Sequence, residues 1–475
     1  MDFEKKERRQ NLRVIVSEAV MVLAVAIMVT LLGFIVSGYW VNSDFEVKRQ
    51  GMLQISSAPT GADIVIDDSS SWLQRTNASK VLDSGEHTVV LRKEGYDTWS
   101  KKITISDGLL YRLHYPRLFL NDRFAEKLIS TTGTTMATIS PDREILLLIN
   151  NTTKWKYVYL NAEKLEPKEI DISGLFTKSN ESNDESNSEP VSLLDGEVTG
   201  IDWSADGRHV IFKVVSDKGN EWIVLDIDNA KNSINLTREF GADFSDIKIF
   251  NRSANSLFAV QNGNLHKVDV SNRSMSVVLV ENIIDFGYYN NELFFSANSS
   301  PDDISESSLY YVGKIGSNGD ISRLGNFSEP LKIVATRFYD EKLVATLSGN
   351  IVALYDMDSF SELDTYELSF SPQTIEAGHN GEFIIAYSQN MIATLDMEVR
   401  IVHEWATEGE DFGWLDNDMI YTVHDGELIV YDYDGLNRRA ISKNVSSRFP
   451  IGIANNKYLY YFSDDFLTRE WLTPR

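Results

Sequence analysis

Ile201-Asp202-Trp203-Ser204-Ala205-Asp206-Gly207-Arg208-His209-Val210-Ile211-Phe212 is the stretch on which the reading of the fold depends. It is a strand, a tight polar turn and a second apolar strand. The same pattern stands upstream as Ile139-Ser140-Pro141-Asp142-Arg143-Glu144-Ile145-Leu146-Leu147-Leu148. Weaker copies begin near Ile247, Ile284, Ile333, Thr374, Phe412 and Ile451. Most starts are about 36 to 49 residues apart, which is the length of a four-stranded propeller blade.

A second periodic mark agrees with the first. Several copies carry an apolar strand that ends on an aspartate: Val224-Leu225-Asp226, Lys267-Val268-Asp269, Leu354-Tyr355-Asp356, Thr394-Leu395-Asp396 and Val430-Tyr431-Asp432. Such an aspartate can close an Asx-turn into an outermost strand, so its recurrence is structural. Eight starts predict a β-propeller of eight blades over 123–475, with seven as the alternative count. The last repeat, Phe449 to Pro474, is one strand short, and Arg123 to Thr131 can supply that strand from the opposite end of the repeat region. The Ser-Pro-Asp and Ser-Ala-Asp-Gly copies resemble TolB-like and WD-repeat-like propellers, although no Trp-Asp dipeptide ends a strand. One long interruption, 177–197, has a core from Lys178 to Glu189 without an apolar residue, and is expected to be a disordered acidic loop.

Working outward toward the N-terminus, 107–122 reads as a linker and 51–106 as a small β-sandwich of about five strands. Pro59 and Gly61 set a turn between alternating strands, and Gly85-Glu86-His87 opens another strand that ends at Gly95-Tyr96. This stretch resembles the PEGA domain, with Pro59, Gly61, Ala62, Gly85, His87, Gly95 and Tyr96 in matching places. Thr60 departs from the family's glutamate, and Asp67-Asp68 and Thr76-Asn77 depart from its Asp-Gly turn and Thr-Pro step. The resemblance implies a bacterial envelope protein and no catalytic role for the module. His87, at a strand start with no second ligand nearby, is expected to be structural.

Residues 41–50 read as a polar tether and 13–40 as a transmembrane signal anchor. From Val14 to Val36 the only ionisable residue is Glu18, and such a helix reaches roughly 30 Å, the thickness of a bilayer core. Tyr39 and Trp40 are expected at the interface. Lys5, Lys6, Arg8, Arg9 and Arg13 precede the run and hold the tail, 1–12, in the cytoplasm. A cleaved signal peptide fits less well, because the run is long and leads into Ser37-Gly38-Tyr39-Trp40. Most of the chain is then expected outside the cytoplasm, anchored by a single pass.

The 475 residues include no cysteine, which excludes disulfides, thiolate metal sites and a catalytic thiol. The net charge of −25 repels phosphate backbones and argues against nucleic acid as a partner. No serine-nucleophile elbow, zinc-protease helix motif, phosphate loop or dinucleotide fingerprint occurs. The seven histidines are scattered singly, with His114, His209, His266, His379, His403 and His424 in different segments. Asp432-Tyr433-Asp434-Gly435 shares Asp-x-Asp-Gly with calcium loops but lacks the downstream acid, so it reads as a blade turn. Trp203, Trp222, Trp405, Trp414 and Trp471 suit a binding face, yet aromatics also fill the gaps between blades and are expected in the core.

No catalytic, cofactor or metal residue is assigned from sequence, and no cofactor is expected. The fold class is mainly β: an N-terminal transmembrane helix, a PEGA-like sandwich and a propeller. The function expected is that of a non-enzymatic, membrane-anchored binding or scaffold protein of a bacterial cell envelope, its propeller meeting a protein or glycan. The alternative is a carbohydrate-active hydrolase or lyase using carboxylates at the propeller axis.

Overall fold

The computed structural model describes residues 18–30, 32–33, 39–41, 47–176, 194, 196–249, 254–290, 292–299, 309–378, 380–407, 409 and 412–475. The chain divides into two compact units, Met1–Asp122 and Arg123–Arg475. The first contains β1 (Tyr39–Val41), β2 (Val47–Ile55), β3 (Asp63–Ile66), β4 (Ser69–Arg75), β5 (Ala78–Asp83), β6 (Gly85–Arg92), β7 (Trp99–Ile105) and β8 (Leu110–Leu113). One sheet runs β1-β2-β5, with β8 parallel against β2, and the other runs β4-β3-β6-β7. Period-two alternation decides which face is buried. In β7, Trp99, Lys101, Ile103 and Ile105 point inward while the residues between them are exposed. Lys101 tolerates the interior because its ammonium donates to Tyr115 Oη at 2.7 Å.

Several expectations change here. The described residues of the tether expected at 41–50, which are 41 and 47–50, are strand: Tyr39 pairs with Arg49, Val41 with Val47, and β2 continues through Gln50, while 42–46 lie outside the described residues. An extended polar segment beside a sheet lowers its free energy by pairing its backbone groups rather than leaving them to solvent alone. Tyr39 and Trp40, expected at a membrane interface, are likewise residues of β1. The linker at 107–122 is also built into the unit. Leu110 pairs with Met52 and Leu113 with Ile55, and Leu113, Tyr115, Leu118 and Phe119 are buried. Among the described residues the unit has eight strands, where about five were expected over 51–106.

Residues 18–30 and 32–33 are helical. Among the described residues no helix is long and apolar enough to cross a membrane, so the described helix does not support the span expected over 13–40. The remainder of that span at 13–17, 31 and 34–38, and the tail at 1–12, lie outside the described residues. Among the described residues the helix's large apolar side chains, from Val20 at 60 % to Leu32 at 54 %, are all more than half exposed.

In the second unit the described residues form eight four-stranded antiparallel sheets, each built from consecutive strands except the last. The first strands of the eight are Thr134–Ile139, Glu197–Trp203, Phe244–Ile249, Ile283–Tyr289, Lys332–Phe338, Thr374–Ala377, Phe412–Trp414 and Gly452–Ala454. The eighth sheet is completed by β9 (Ala125–Ser130), which pairs with Phe466–Trp471. Hydrophobic clusters join the first seven sheets in order. Leu147, Trp155 and Phe212 join the first to the second, Trp222 and Phe244 the second to the third. Phe258 and Phe286 follow, then Phe294 and Ile333, then Leu354 and Ile384, then Ile385 and Ile420. The seventh and eighth sheets meet through the Ile453 amide, which donates to Leu415 O at 3.2 Å. Tyr460 and Phe462 of the eighth pack on Leu146 and Val158 of the first, closing the series on itself. The arrangement is that of a β-propeller.

The turn that opened the sequence reading has one geometry in both strong copies. Ser204 Oγ accepts from the His209 amide at 2.9 Å, and Asp206 Oδ1 accepts from the Arg208 amide at 3.0 Å. Ser140 and Asp142 make the same bonds to Ile145 and Glu144. Asp226, Asp269, Asp356 and Asp396 each accept backbone N–H groups two or three residues on, as an Asx-turn requires. The loop expected at 177–197 lies mostly outside the described residues, but its far end is ordered. Leu194 is buried in the cluster between the first two sheets, and Glu197 already belongs to the second sheet.

Candidate functional site

First strands of neighbouring sheets touch one another, as Glu197–Trp203 touches Phe244–Ile249 and Lys332–Phe338 touches both Ile283–Tyr289 and Thr374–Ala377. Last strands such as Glu362–Glu367 are largely exposed. The first strands therefore line the axis. There a cavity of ≈ 680 Å³ is walled by residues of the second to sixth sheets, among them Asp202, Lys248, Asp285, Tyr288, Lys332 and Glu376.

Lys248, Lys332 and Glu376 each stand beside a buried isoleucine of a first strand, so strand alternation turns them to the opposite face, toward the axis. Lys248 Nζ donates to Phe286 O at 2.6 Å and lies 3.4 Å from Asp285 Oδ1 and 4.4 Å from the Phe286 ring centre. Asp285 Oδ2 accepts from the Ile333 amide at 2.8 Å, and Lys332 Nζ donates to Gln373 O. These three contacts tie the third sheet to the fourth, the fourth to the fifth and the fifth to the sixth. They fix the wall by hydrogen bonds to backbone groups rather than by side-chain packing.

The wall is electrostatically tense. Asp202 stays open to solvent at the cavity wall although protein occupies most of the space around it, and this loss of hydration raises its pKa. The Trp203 N–H and the Lys248 ammonium oppose the rise, and Asp246 adds to it. Asp246 is raised for the same reason, with Lys248 opposing and Asp285 reinforcing. Burial, helped by Asp202, pushes the Tyr288 phenol up to about 12. Asp202, Asp246 and Asp285 are set around Lys248, with Lys332 also in the wall, and their carboxylates can accept hydrogen bonds from hydroxyl or amine groups.

A second cavity, of ≈ 420 Å³, lies between the sixth and seventh sheets and shares Thr374 and Glu376 with the first. Tyr387, Phe412, Trp414, Gln373 and Gln389 line it. Tyr387 Oη donates to Glu376 Oε1 at 2.6 Å, and its ring meets Phe412 edge to face at 4.8 Å. Burial, and then the Glu376 carboxylate, hold the Tyr387 phenol well above its ordinary pKa.

Residues singled out in the sequence take other places. His87 is held between Asp67 Oδ2 at 2.6 Å and Asp83 O at 2.7 Å. His266 faces Ser276 O at 3.0 Å, and His403 packs edge-on to Tyr433. His209 lies 4.0 Å from both Asp206 and Asp226, and His379 is outside the described residues. No histidine lines either cavity among the described residues. Asp432 to Gly435 is a turn: Gly435 has φ +77°, a Cβ there would sit 2.6 Å from the Trp405 ring, and Asp432 binds Asn437 Nδ2 at 2.8 Å. Trp203 and Trp222 bridge sheets through bonds from Nε1 to Thr138 Oγ1 and to Phe244 O, both 2.8 Å. Of the five tryptophans, Trp414 alone lines one of the two cavities.

The axial residues were not picked out by sequence reasoning, yet a signal was present. Asp202, Asp246, Lys248, Asp285, Lys332 and Glu376 each stand next to an isoleucine in the first strand of a repeat. Reading the polar neighbour of each such isoleucine as axial would have found them.

The first unit carries the backbone that its sequence pattern asks for, with Gly61 at φ +78°, Gly95 at φ +81° and Tyr96 buried beside the second of them. Residues 50–116 match the PEGA domain. The PEGA match runs through β8 and past the point where a linker was expected. No curated protein matches the chain. Among solved structures, Hsv2 of Kluyveromyces lactis aligns at 10 % identity and TM-score 0.43 over 66 % of this chain and 98 % of its own. The oligogalacturonate lyase of Vibrio parahaemolyticus aligns at 12 % and 0.38 over 59 % and 99 %. PorZ, a surface component of the type-IX secretion system of Porphyromonas gingivalis, aligns at 13 % and 0.41 over 71 % of this chain and 42 % of its own. None reaches a TM-score of 0.5, and no functional reading rests on them.

Proposed function

We propose that this chain is a non-enzymatic binding protein of a bacterial cell envelope, an eight-bladed propeller preceded by a PEGA domain and held to the cytoplasmic membrane by its N-terminal apolar segment. The observation that carries the reading is the axial cavity, whose wall sets charged side chains (Asp202, Lys248, Asp285, Lys332 and Glu376) among apolar ones where an apolar plug would have made it mere core. Asp202 and Asp246 keep carboxylates in an environment that disfavours their charge, an arrangement that lowers stability and is typical of sites that meet a ligand. A polar ligand, protein or glycan, would compensate them.

Support for the anchor comes from the sequence, in which the run from Val14 to Val36 has Glu18 as its single ionisable residue and follows a basic cluster. The full chain, extracted in mild detergent and immobilised, is expected to retain an envelope protein or glycan, and Asp202→Asn with Asp246→Asn to release it. Protease added to intact cells with a permeabilised outer layer should degrade the propeller. Protection there, lost only on lysis, would overturn the orientation.

The raised Asp202 and Asp246 favour one second reading, a glycan hydrolase or lyase in which an axial carboxylate holds a proton for transfer. Release of new reducing ends from envelope glycan by wild type and not by the double variant would establish it over the first.

A further inference from the structure

We propose that the cleft between the sixth and seventh sheets binds an organic ammonium group, with Glu376 as counter-charge and the rings of Tyr387, Phe412 and Trp414 as its walls. This site is separate from the axial reading, although the two cavities share Thr374 and Glu376. Its lining, among the described residues, includes one charged side chain, the Glu376 carboxylate, and no lysine or arginine. Three aromatic rings surround the same space, and an aromatic face attracts a cation through its quadrupole while leaving an anion unfavoured.

The carboxylate is placed for this role. Tyr387 Oη occupies Glu376 Oε1, while Oε2 has no hydrogen bond among the described residues. Tyr387 thus orients Glu376 without consuming its capacity as an acceptor. Phe412 fixes the Tyr387 ring from the side, and Phe383 stacks behind Trp414 with ring centres 6.2 Å apart. Gln373 and Gln389 add amide groups at the wall. An apolar occupant would strand the carboxylate and both amides, and an anionic one would meet Glu376 directly. At ≈ 420 Å³ the cleft admits a trimethylammonium or a lysyl amine with several attached atoms.

The test is calorimetric titration of the full chain in mild detergent with choline, a quaternary ammonium, and with N-acetyl-lysine methylamide, a primary amine. Glucose and acetate are the neutral and anionic controls. At least one cation is expected to bind, and which of them binds more tightly identifies the source of the group. Glu376→Gln, which keeps an acceptor for Tyr387 and removes only the charge, is expected to weaken binding about tenfold, and Phe412→Leu about threefold. Asp202→Asn should leave cation binding unchanged, so failure of the axial reading does not touch this one. Binding of neither cation, glucose binding as tightly as either, or cation affinity unchanged in Glu376→Gln would each overturn it.

Discussion

Aspartates on the first strands of sheets and at the ends of third strands are held in opposite ways. Asp202 and Asp246, on first strands, are raised because the protein packed around them weakens their hydration and sets them near one another. Asp269, at the end of a third strand, is lowered because the Asn272 N–H and side chain bind its charged form. Asp356 is lowered chiefly by Ser359, whose hydroxyl and N–H both donate to Oδ1 at 2.7 Å. The third-strand carboxylates are part of what folds the repeat. The first-strand ones oppose folding at neutral pH, and a protein keeps such groups where something other than folding needs them.

The largest effect should come from the axis. Asp202→Asn with Asp246→Asn is expected to weaken retention of the envelope ligand at least about tenfold, the scale of losing one or more hydrogen bonds to charged groups. The same variant should be at least as stable as wild type at pH 7 in thermal denaturation. A carboxyl raised in the folded state destabilises above its folded pKa and ceases to do so as pH falls through it. The stability gained by the variant should therefore fade toward acid, and a variant less stable than wild type at pH 7 would break the comparison.

Next is the third-strand turn. Asp356→Ala is expected to lose about 1 kcal/mol at pH 7, since it removes acceptors for two backbone amides near the surface. Retention of ligand should not change. Here the sign reverses: a lowered carboxylate contributes stability above its unfolded pKa, near 3.8, and loses it as pH falls through the folded value. Urea denaturation should show the deficit of Asp356→Ala narrowing below about pH 4.

The smallest effect belongs to the PEGA domain, where Asp67 behaves like a third-strand aspartate. The Thr88 N–H, and then His87, lower it. Burial works against the charged form of His87, but Asp67 and the Asp83 carbonyl outweigh it, so its pKa is raised. The pair is stabilising from about pH 4 to about 6.5, with the histidine's share lost as pH rises through its folded pKa. His87→Gln should lose roughly 0.5 kcal/mol at pH 5.5 and little at pH 8.5, because Asp67 is half exposed and the pair is screened. An equal loss at both values would show that the ring matters for packing alone.

Much of the architecture was legible because it rests on local rules. The Ser204 and Ser140 turns, the strand-ending aspartates and the strand-deficient last repeat all act within a few residues or complete an obvious deficit, and β9 lies inside the segment expected to fill it. The tether and the linker were misread for the opposite reason. Val47–Gln50 extend β2 because β1 and β5 pair with them, and Leu110–Leu113 become a strand because β2 is available to them; pairing partners elsewhere in the chain leave no periodic mark.

The sequence by itself determined that the chain repeats, where each repeat begins, that the PEGA-like turns sit at Pro59, Gly61 and Gly95, and that no thiol chemistry is available. Those are properties of hydrophobic period and of residues with special backbone freedom, and they need no distant partner. Only the tertiary structure decided what the axis is made of. Asp202, Asp246, Lys248, Asp285, Lys332 and Glu376 are ordinary polar positions of separate strands until the sheets are arranged about one axis. Side chains more than a hundred residues apart then share one dielectric and one field, and the cavity exists only in that closed arrangement.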